Sequence, residues 1–508
     1  MFININVHSN YSLLQSTITI DDIIKFAIDN NQKYVSLIDI NTMYGTIEFY
    51  NKAKKNNLVP IIGLQINYEN EKIILIAKNY EGYLNIVKIS SFIMIKKKYE
   101  LKLFLNSIIV IFDTTIPKWF NENRNDFYTV NGKNKVAIRD CFYKEKNDIS
   151  ILKAIFAIKN DELFENININ SFENKYMLKE NEALTFFSKE ALNNLEKLIS
   201  SIDLEKITDG ENNFVKYNNA INSNELIYES CINGLKKKME NIPTTYIERL
   251  KYELEIINNK NFNDYFLVVQ DYVEFAKREG IFVGPGRGSA CGSLVSYSLG
   301  ITEIDPIENN LYFERFLNPE RVGFPDIDID FMDTRKNEII EYLIKKYSMN
   351  KVAHIITFQR MKSKMAIRDV GRILNIKLEI INLISKLFSS EYDENINLAI
   401  EKNKNIKEYS KKFPELFTIA SKLINFPRQI GLHAAGMVIV NTELYNIVPI
   451  QLNNSGDIFT TQYSMEYLEE LGVIKIDLLS LSNLTIINNI LQKINKNGTK
   501  IDLLKINF

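Results

Sequence analysis

The chain has 508 residues, enough for roughly three or four domains, each with its own core. Hydrophobic residues make up 45% and charged residues 25%, the proportions of a soluble globular protein. The 62 Lys and Arg nearly cancel the 63 Asp and Glu, so a net charge of −1 excludes a bulk basic signal for nucleic acid, and any such signal must be local.

Cys141, Cys231 and Cys291 lie far apart and form no metal-ligand spacing, so they read as reduced thiols of a cytosolic protein. No signal peptide opens the chain and no apolar run of about 18 residues interrupts it, which points to a cytoplasmic protein without membrane contact.

Residues 1 to about 120 alternate β-rich runs (FININVHS, KYVSLID, VPIIGLQINY, KIILIAK) with amphipathic helical ones (DDIIKFAIDNN, MYGTIEFYNKAKKNN). That is the βαβ rhythm of a parallel sheet, open or closed as a barrel. His8, Asp39 and Gln65 fall at or just past strand C-termini, where barrels keep their chemistry.

The wording VHSNYSLL, LIDINTMYG, PIIGLQI and AKNYEGYLNI resembles the polymerase-and-histidinol-phosphatase (PHP) domain, a (β/α)7-type barrel. Metal-bearing members of that family read HxH, DHN and a closing Glu. This chain has Asn6 with His8, Asp39 followed by Ile40, and Gln65. His8, His354 and His433 are its only histidines, so no multi-histidine cluster can be rebuilt from elsewhere. A structural barrel that braces the rest fits better than an active phosphoesterase or 3′–5′ exonuclease.

From about 120 to 225, DISILKAIFAIKN and SKEALNNLEKLISSIDLEKI read as ordinary core-packed helices. From about 245, YIERLKYELEIINNKNFNDYFLVVQDYVEFAKREG reads as two helices joined near Asn261 to Asn263. An apolar strand at Ile281 to Val283 then runs into GPGRGSACGSLV, a glycine-rich turn with a helix expected to start near Ser289. Backbone amides at such a turn can approach phosphate oxygens closely, with Arg287 supplying a cation.

PDIDIDF, Pro325 to Phe331, alternates aspartate with apolar residues. As a strand it puts Asp326, Asp328 and Asp330 on one face and Ile327, Ile329 and Phe331 on the other. Carboxylates so close repel one another unless cations sit between them, and hard divalent ions such as Mg²⁺ are the natural occupants. The plainer reading is an exposed edge strand whose charges discourage pairing.

Downstream, Lys364, Arg368 and Arg372 recur every four residues and form a positive helical stripe suited to phosphate contacts made without regard to sequence; a solvated helix face is the alternative. A helical section reaches about 425, β character returns in IGLHAAGMVIV, and LGVIKIDLLSL places Lys475 and Asp477 on another short strand.

A Gly-Ser turn, an Asp-x-Asp strand, a third aspartate and interspersed cations are what two-metal nucleotidyl transfer requires: two Mg²⁺ ions bridge the carboxylates, activate a 3′ hydroxyl and clamp the triphosphate. GPGRGSACGSLV, LYFERFLNPERVGFPDIDIDF, IITFQRMKSKMAIRDVGR, GLHAAGMVI and KIDLLSLSNLTII stand in the order found in the bacterial DNA polymerase III alpha subunit family, which residues 245–508 resemble.

The resemblance implies a multidomain α/β and α+β chain: the PHP-like barrel, then a DNA polymerase beta-like nucleotidyltransferase palm split by a helical thumb. The expected boundaries are 1–205 barrel, 206–244 connection, 245–357 first palm part, 358–430 thumb, 431–482 second palm part and 483–508 the stump of the fingers. It implies that Asp326, Asp328 and Asp477 hold the metals, and that Gly288 and Ser289 hold the incoming triphosphate. Arg287, Arg315 and Lys475 are further phosphate-contact candidates, and Lys364, Arg368 and Arg372 are candidates for the DNA backbone.

Primed template DNA and deoxynucleoside triphosphates are the implied substrates, and other replisome subunits or the rest of the polymerase the implied partners. Ser480 and Ser482 stand where the family commonly has glycine and arginine. The chain stops at Phe508, where the family begins its large fingers, so the expectation is a partial chain. The competing reading is a DNA-binding or scaffold piece without catalysis.

Overall fold

The first helix shows how local rules set the elements. Ile20, Ile23, Ile24 and Ala27 bury one face of α1 (Ile20–Asp29), and Thr19 and Asp22 close a reciprocal capping box at its start. A computed structural model describes residues 2–501 apart from 122, 123, 125, 208–212, 218–221, 319, 321–323, 454, 499 and 500. The expected 206–244 connection and the 483–508 segment therefore lie partly outside the described residues.

The N-terminal region carries β1 (Tyr34–Ile40), β2 (Val59–Tyr68), β3 (Glu71–Ala77), β4 (Ile108–Phe112) and β5 (Phe127–Thr129), which pair in that order as a five-stranded sheet. Helices α2 (Thr46–Lys55), α3 (Tyr80–Met94), α4 (Ile149–Asn160), α5 (Glu180–Phe186) and α6 (Lys189–Ser200) follow in turn. The sheet is not the uniformly parallel one that the βαβ rhythm suggests, because β2–β3 and β3–β4 are antiparallel. The cause is local: Glu69 and Asn70 adopt φ of 51° and 66°, and two consecutive left-handed residues make the tight turn that matches hairpin twist. Irregular backbone continues the pairing beyond the regular strands: Ile38 N donates to Val7 O, Val7 bridges Cys141, and Lys135 bridges Thr129 of β5.

After α7 (Ser223–Lys238), α8 (Thr244–Asn259), α9 (Asn263–Arg278) and α10 (Leu294–Ser298) comes a second sheet, of six strands. It contains β6 (Asp328–Met332), β7 (Val352–Arg360), β8 (Pro427–Ile439), β9 (Ile450–Leu452), β10 (Phe459–Ser464) and β11 (Lys475–Leu481), in the spatial order β6-β11-β8-β7-β10-β9. Helix α11 (Lys336–Tyr347) links β6 to β7. A helical insertion, α12 (Ser363–Ile373), α13 (Leu378–Lys386), α14 (Ile396–Lys402), α15 (Lys404–Lys412) and α16 (Pro414–Lys422), separates the antiparallel pair β7 and β8. The one-turn α17 (Met465–Leu468) follows β10, and α18 (Ser482–Lys496) leaves β11. In place of a strand at Ile281 to Val283 there is a single bridge from Val283 to Phe331, with Gly284 N donating to Asp330 O.

The cores do not respect the sequence order. Buried residues of the N-terminal sheet and its helices, Tyr83 and Ile86 among them, pack in one cluster with Ile355, Val448, Tyr463 and Leu471 of the second sheet's far side. Gln462 crosses this boundary fully buried: its Oε1 accepts from Met43 N (2.8 Å) and its Nε2 donates to Ser90 Oγ and Ile450 O. The Tyr83 and Tyr463 hydroxyls meet at 2.9 Å. Helix α4 packs instead with the helical insertion, burying Leu152 and Ile155 against Ile367, Val370 and Leu416. Among the described residues no helix is long and apolar enough to cross a membrane.

Candidate active site

Period-2 alternation is realised in β6. Ile327, Ile329 and Phe331 are buried, whereas the side chains of Asp326, Asp328 and Asp330 keep 57%, 29% and 13% exposure on the other face. Asp326 lies in the extended backbone just before the strand, where Ile327 N donates to the buried Tyr265 hydroxyl of α9. The neighbouring strand β11 runs parallel with Asp477 in register with Asp328. One oxygen each from Asp326, Asp328 and Asp477 then lie within 4.8 Å of one another.

The electrostatics are those of a site short of positive charge. Burial, then the neighbouring Asp326 charge, pushes the Asp328 carboxyl above its ordinary range, against the pull of Arg287. Lys475 Nζ lies 2.7 Å from Asp477 Oδ2 and 3.4 Å from Asp326 Oδ1. Burial alone would lower this ammonium, but the Asp477 hydrogen bond and both carboxylate charges hold it above the ordinary lysine range. Arg287 Nε lies 3.7 Å from Asp328 and its Nη1 3.4 Å from Asp330. Asp477 Oδ1 is buried with no hydrogen-bond partner in the described structure, an oxygen lone pair left over in an all-carboxylate donor set. That set fits a hard divalent cation.

The glycine-rich turn departs from the expected helix start. Gly288–Gly292 forms a 3-10 turn, and the α-helix begins only at Leu294. Gly288 and Ser289 are exposed, and Gly288 has φ +66°, a conformation that disfavours a side chain. The helix N-terminus is not open to a phosphate, because the buried Glu253 carboxylate accepts from Leu294 N, Val295 N and Ser293 Oγ. Arg315 is exposed on a short turn, Phe313–Arg315, whose preceding residue packs against the loop.

Lys364, Arg368 and Arg372 are exposed along α12, opposite the buried Ala366, Ile367, Val370 and Ile373. Arg368 donates to Ser385 Oγ, and Arg372 pairs with Asp369 at 2.8 Å and Asp161 at 3.7 Å. His433 Nδ1 accepts from Gly436 N at 2.6 Å, a local turn contact within β8. Lys336 escaped the sequence reading; burial lowers its ammonium, Asp477 opposes that, and its Nζ donates to Ala434 O at 2.6 Å. Glu253 escaped it too, although a glutamate among Tyr246, Leu250, Leu254 and Ile257 on the buried face of α8 is a visible anomaly.

Asn6, His8 and Gln65 converge in the N-terminal region around Asp140 rather than around a ligand cluster. Asp140 pairs with Lys72 (2.5 Å) and Lys175 (2.9 Å) and accepts from Asn6 Nδ2 (2.7 Å). Burial would raise this carboxyl, but the Lys72 and Lys175 ammonium groups, with the His8 ring 4.0 Å away, hold it far below the ordinary range. Asn6 Nδ2 also donates to Gln65 Oε1, and Asp39 is occupied by Ser9 and Ser12. Two ammonium groups supply the positive charge here.

A family model described as the bacterial DNA polymerase III alpha NTPase domain matches residues 225–480, and a PHP domain model matches residues 4–149. The chain is 51% identical over 516 residues to DNA polymerase III subunit alpha of Ureaplasma parvum serovar 3, covering 100% of this chain and 53% of that protein. With the subunit of the same name from Staphylococcus aureus strain COL it shares 35% identity over 539 residues, covering 99% of this chain and 49% of the relative. With that of Bacillus subtilis strain 168 it shares 32% over 581 residues, covering 100% and 51%. The chain thus spans about half the length of the curated relatives it matches. With the NTPase-domain model covering both the glycine-rich turn and all three clustered aspartates, the chain belongs to the family of bacterial DNA polymerase III alpha subunits.

Proposed function

We propose that this chain supplies the palm active site of a DNA-directed DNA polymerase that extends the 3′ hydroxyl of a primed template with deoxynucleotides in chromosomal replication. The observation that carries this reading is the meeting of Asp326, Asp328 and Asp477 within 4.8 Å, with a buried Asp477 oxygen unpartnered. These carboxylates would hold two Mg²⁺ ions, which when bound supply Lewis-acid activation of the hydroxyl and neutralise triphosphate charge.

The chain's own groups do the rest. Lys475, now spanning Asp477 and Asp326, and Arg287, now beside Asp328 and Asp330, are the cations that meet phosphate oxygens. Gly288 and Ser289 offer exposed backbone and a hydroxyl to the triphosphate, and Arg315 flanks them. Lys364, Arg368 and Arg372 line one face of α12 for the DNA backbone.

In this reading residues 1–205 form a bracing (β/α)7-type barrel and 206–244 connect it to the rest. Residues 245–357 and 431–482 make a DNA polymerase beta-like palm around a thumb at 358–430, and 483–508 begin the fingers. The helical insertion between β7 and β8 supports the split palm. The partners are other replisome subunits or the remaining half of the polymerase. The buried free cysteines suit the cytoplasm.

The test is extension of a primed template by the purified chain with Mg²⁺ and four deoxynucleotides, beside the Asp326→Asn, Asp328→Asn double variant. Extension lost in the variant supports the reading. Metal-dependent nucleotide binding without extension favours a site that works only as part of a larger polymerase, the second reading that the half-length match suggests. Extension that survives in the double variant, and in one that also carries Asp477→Asn, sinks the assignment.

A further inference from the structure

We propose that Glu253 of α8, together with Arg249 one turn before it, is the positioning residue that fixes the triphosphate loop. This rests on the reading of Gly288 and Ser289 given above. A fully buried carboxylate is costly unless its lone pairs are filled, and here all are. Oε1 accepts from Arg249 Nε (2.7 Å) and Leu294 N (3.0 Å), and Oε2 from Ser293 Oγ (2.9 Å) and Val295 N (3.0 Å). Burial raises the Glu253 carboxyl, and the Leu294 and Val295 amides and Arg249 oppose the rise.

What the pair holds is what makes it more than a core ion pair. Ser293 immediately follows the 3-10 turn Gly288–Gly292. Arg249 Nη2 donates to Gly292 O (3.1 Å), the last residue of that turn, and to Leu311 O (3.3 Å), which leads into the turn carrying Arg315. The two segments are packed so closely that a side chain on Gly292 would sit 2.5 Å from Tyr312 O. The loop's other end is tied to the aspartate strand through Gly284 N to Asp330 O (2.8 Å). One end of the loop is therefore registered on the carboxylates and the other on the Glu253–Arg249 pair. Glu253 also takes up the amides of α10, so the triphosphate is left to the exposed Gly288–Ser289 stretch.

In Glu253→Gln the amide keeps only one acceptor oxygen and turns an N–H₂ toward two donors, which frees the end of the loop. Equilibrium binding of Mg²⁺–dATP to the full chain should weaken about tenfold, about 1.4 kcal/mol. Mn²⁺ binding in the absence of nucleotide, a readout of the aspartates alone, should stay within about twofold of wild type. Arg249→Lys keeps Glu253 paired but loses the bonds to Gly292 O and Leu311 O; it should show the same split at about threefold, and serves if Glu253→Gln does not fold. Wild type that binds no triphosphate overturns the site reading and this inference with it. Triphosphate binding that is retained in folded Glu253→Gln or Arg249→Lys, or lost in parallel with Mn²⁺ binding, overturns the inference alone.

Discussion

Neutralising one of the clustered aspartates should stabilise the metal-free protein. Two unit charges 4.8 Å apart repel by about 0.9 kcal/mol in bulk water and about 3.5 kcal/mol at an effective dielectric of about 20. Asp328 faces two such neighbours, Asp326 and Asp477, and is offset by Arg287 at 3.7 Å. Its raised carboxyl shows which side wins: burial and repulsion outweigh the cations. Asp328→Asn, nearly isosteric, should therefore add about 1 kcal/mol to unfolding stability in EDTA at neutral pH.

The sign with pH follows. The folded carboxyl holds its proton more tightly than the unfolded chain does, so the wild-type penalty is absent below about pH 4 and complete above the raised folded value. The advantage of the variant grows with pH across that window. Magnesium should reverse the order if these carboxylates hold it as proposed, because a cation at ten times its dissociation constant would add about 1.4 kcal/mol to wild type and little to the variant. Urea unfolding of both proteins, in EDTA and in Mg²⁺, reads all of this. A variant less stable than wild type in EDTA, or stabilised equally by Mg²⁺, would refute the reasoning.

Two further predictions concern the N-terminal region. Gln462→Leu strands the buried Met43 N and Ile450 O, at about 1–3 kcal/mol each, and because one core cluster spans both regions it should lower a single transition in which the N-terminal sheet and the second sheet unfold together; calorimetry that resolves a separate N-terminal transition would contradict the shared core. Asp140→Asn, losing its Lys72 and Lys175 pairs, should cost about 1–3 kcal/mol at neutral pH. Since the folded Asp140 carboxyl lies well below its unfolded value, that stabilisation is present above about pH 4 and lost as pH falls through the folded value. The deficit measured by urea titration should hold constant from about pH 5 to 8 and shrink in acid; a deficit that widened in acid would rule this out.

How far the sequence was readable depends on how local each cause is. The alternation in PDIDIDF decides which face the aspartates take, because strand geometry has period 2, and the structure has that face. The register that sets Asp477 beside Asp328 has no local signature, since it is fixed by the packing of β11 between β6 and β8. Glu69 and Asn70 were a readable turn, yet the βαβ rhythm around them pointed to parallel strands. Glu253 was hidden for the opposite reason. Its place in an apolar stripe is visible, but the amides it satisfies lie about forty residues on and belong to α10 rather than to its own helix.

The continuous core has a consequence for how the chain is made. Tyr83 leaves the ribosome 380 residues before Tyr463, its partner across the boundary. At about 5–20 residues per second that interval is about 20–75 s, during which the face of α3 and the Met43–Tyr44 segment destined for the second sheet have nothing to cover them. Nascent chains halted near residue 350 should accordingly be far more protease-sensitive around α3 than finished protein. Synthesis of the last described strands is thus also the step that seals the first domain.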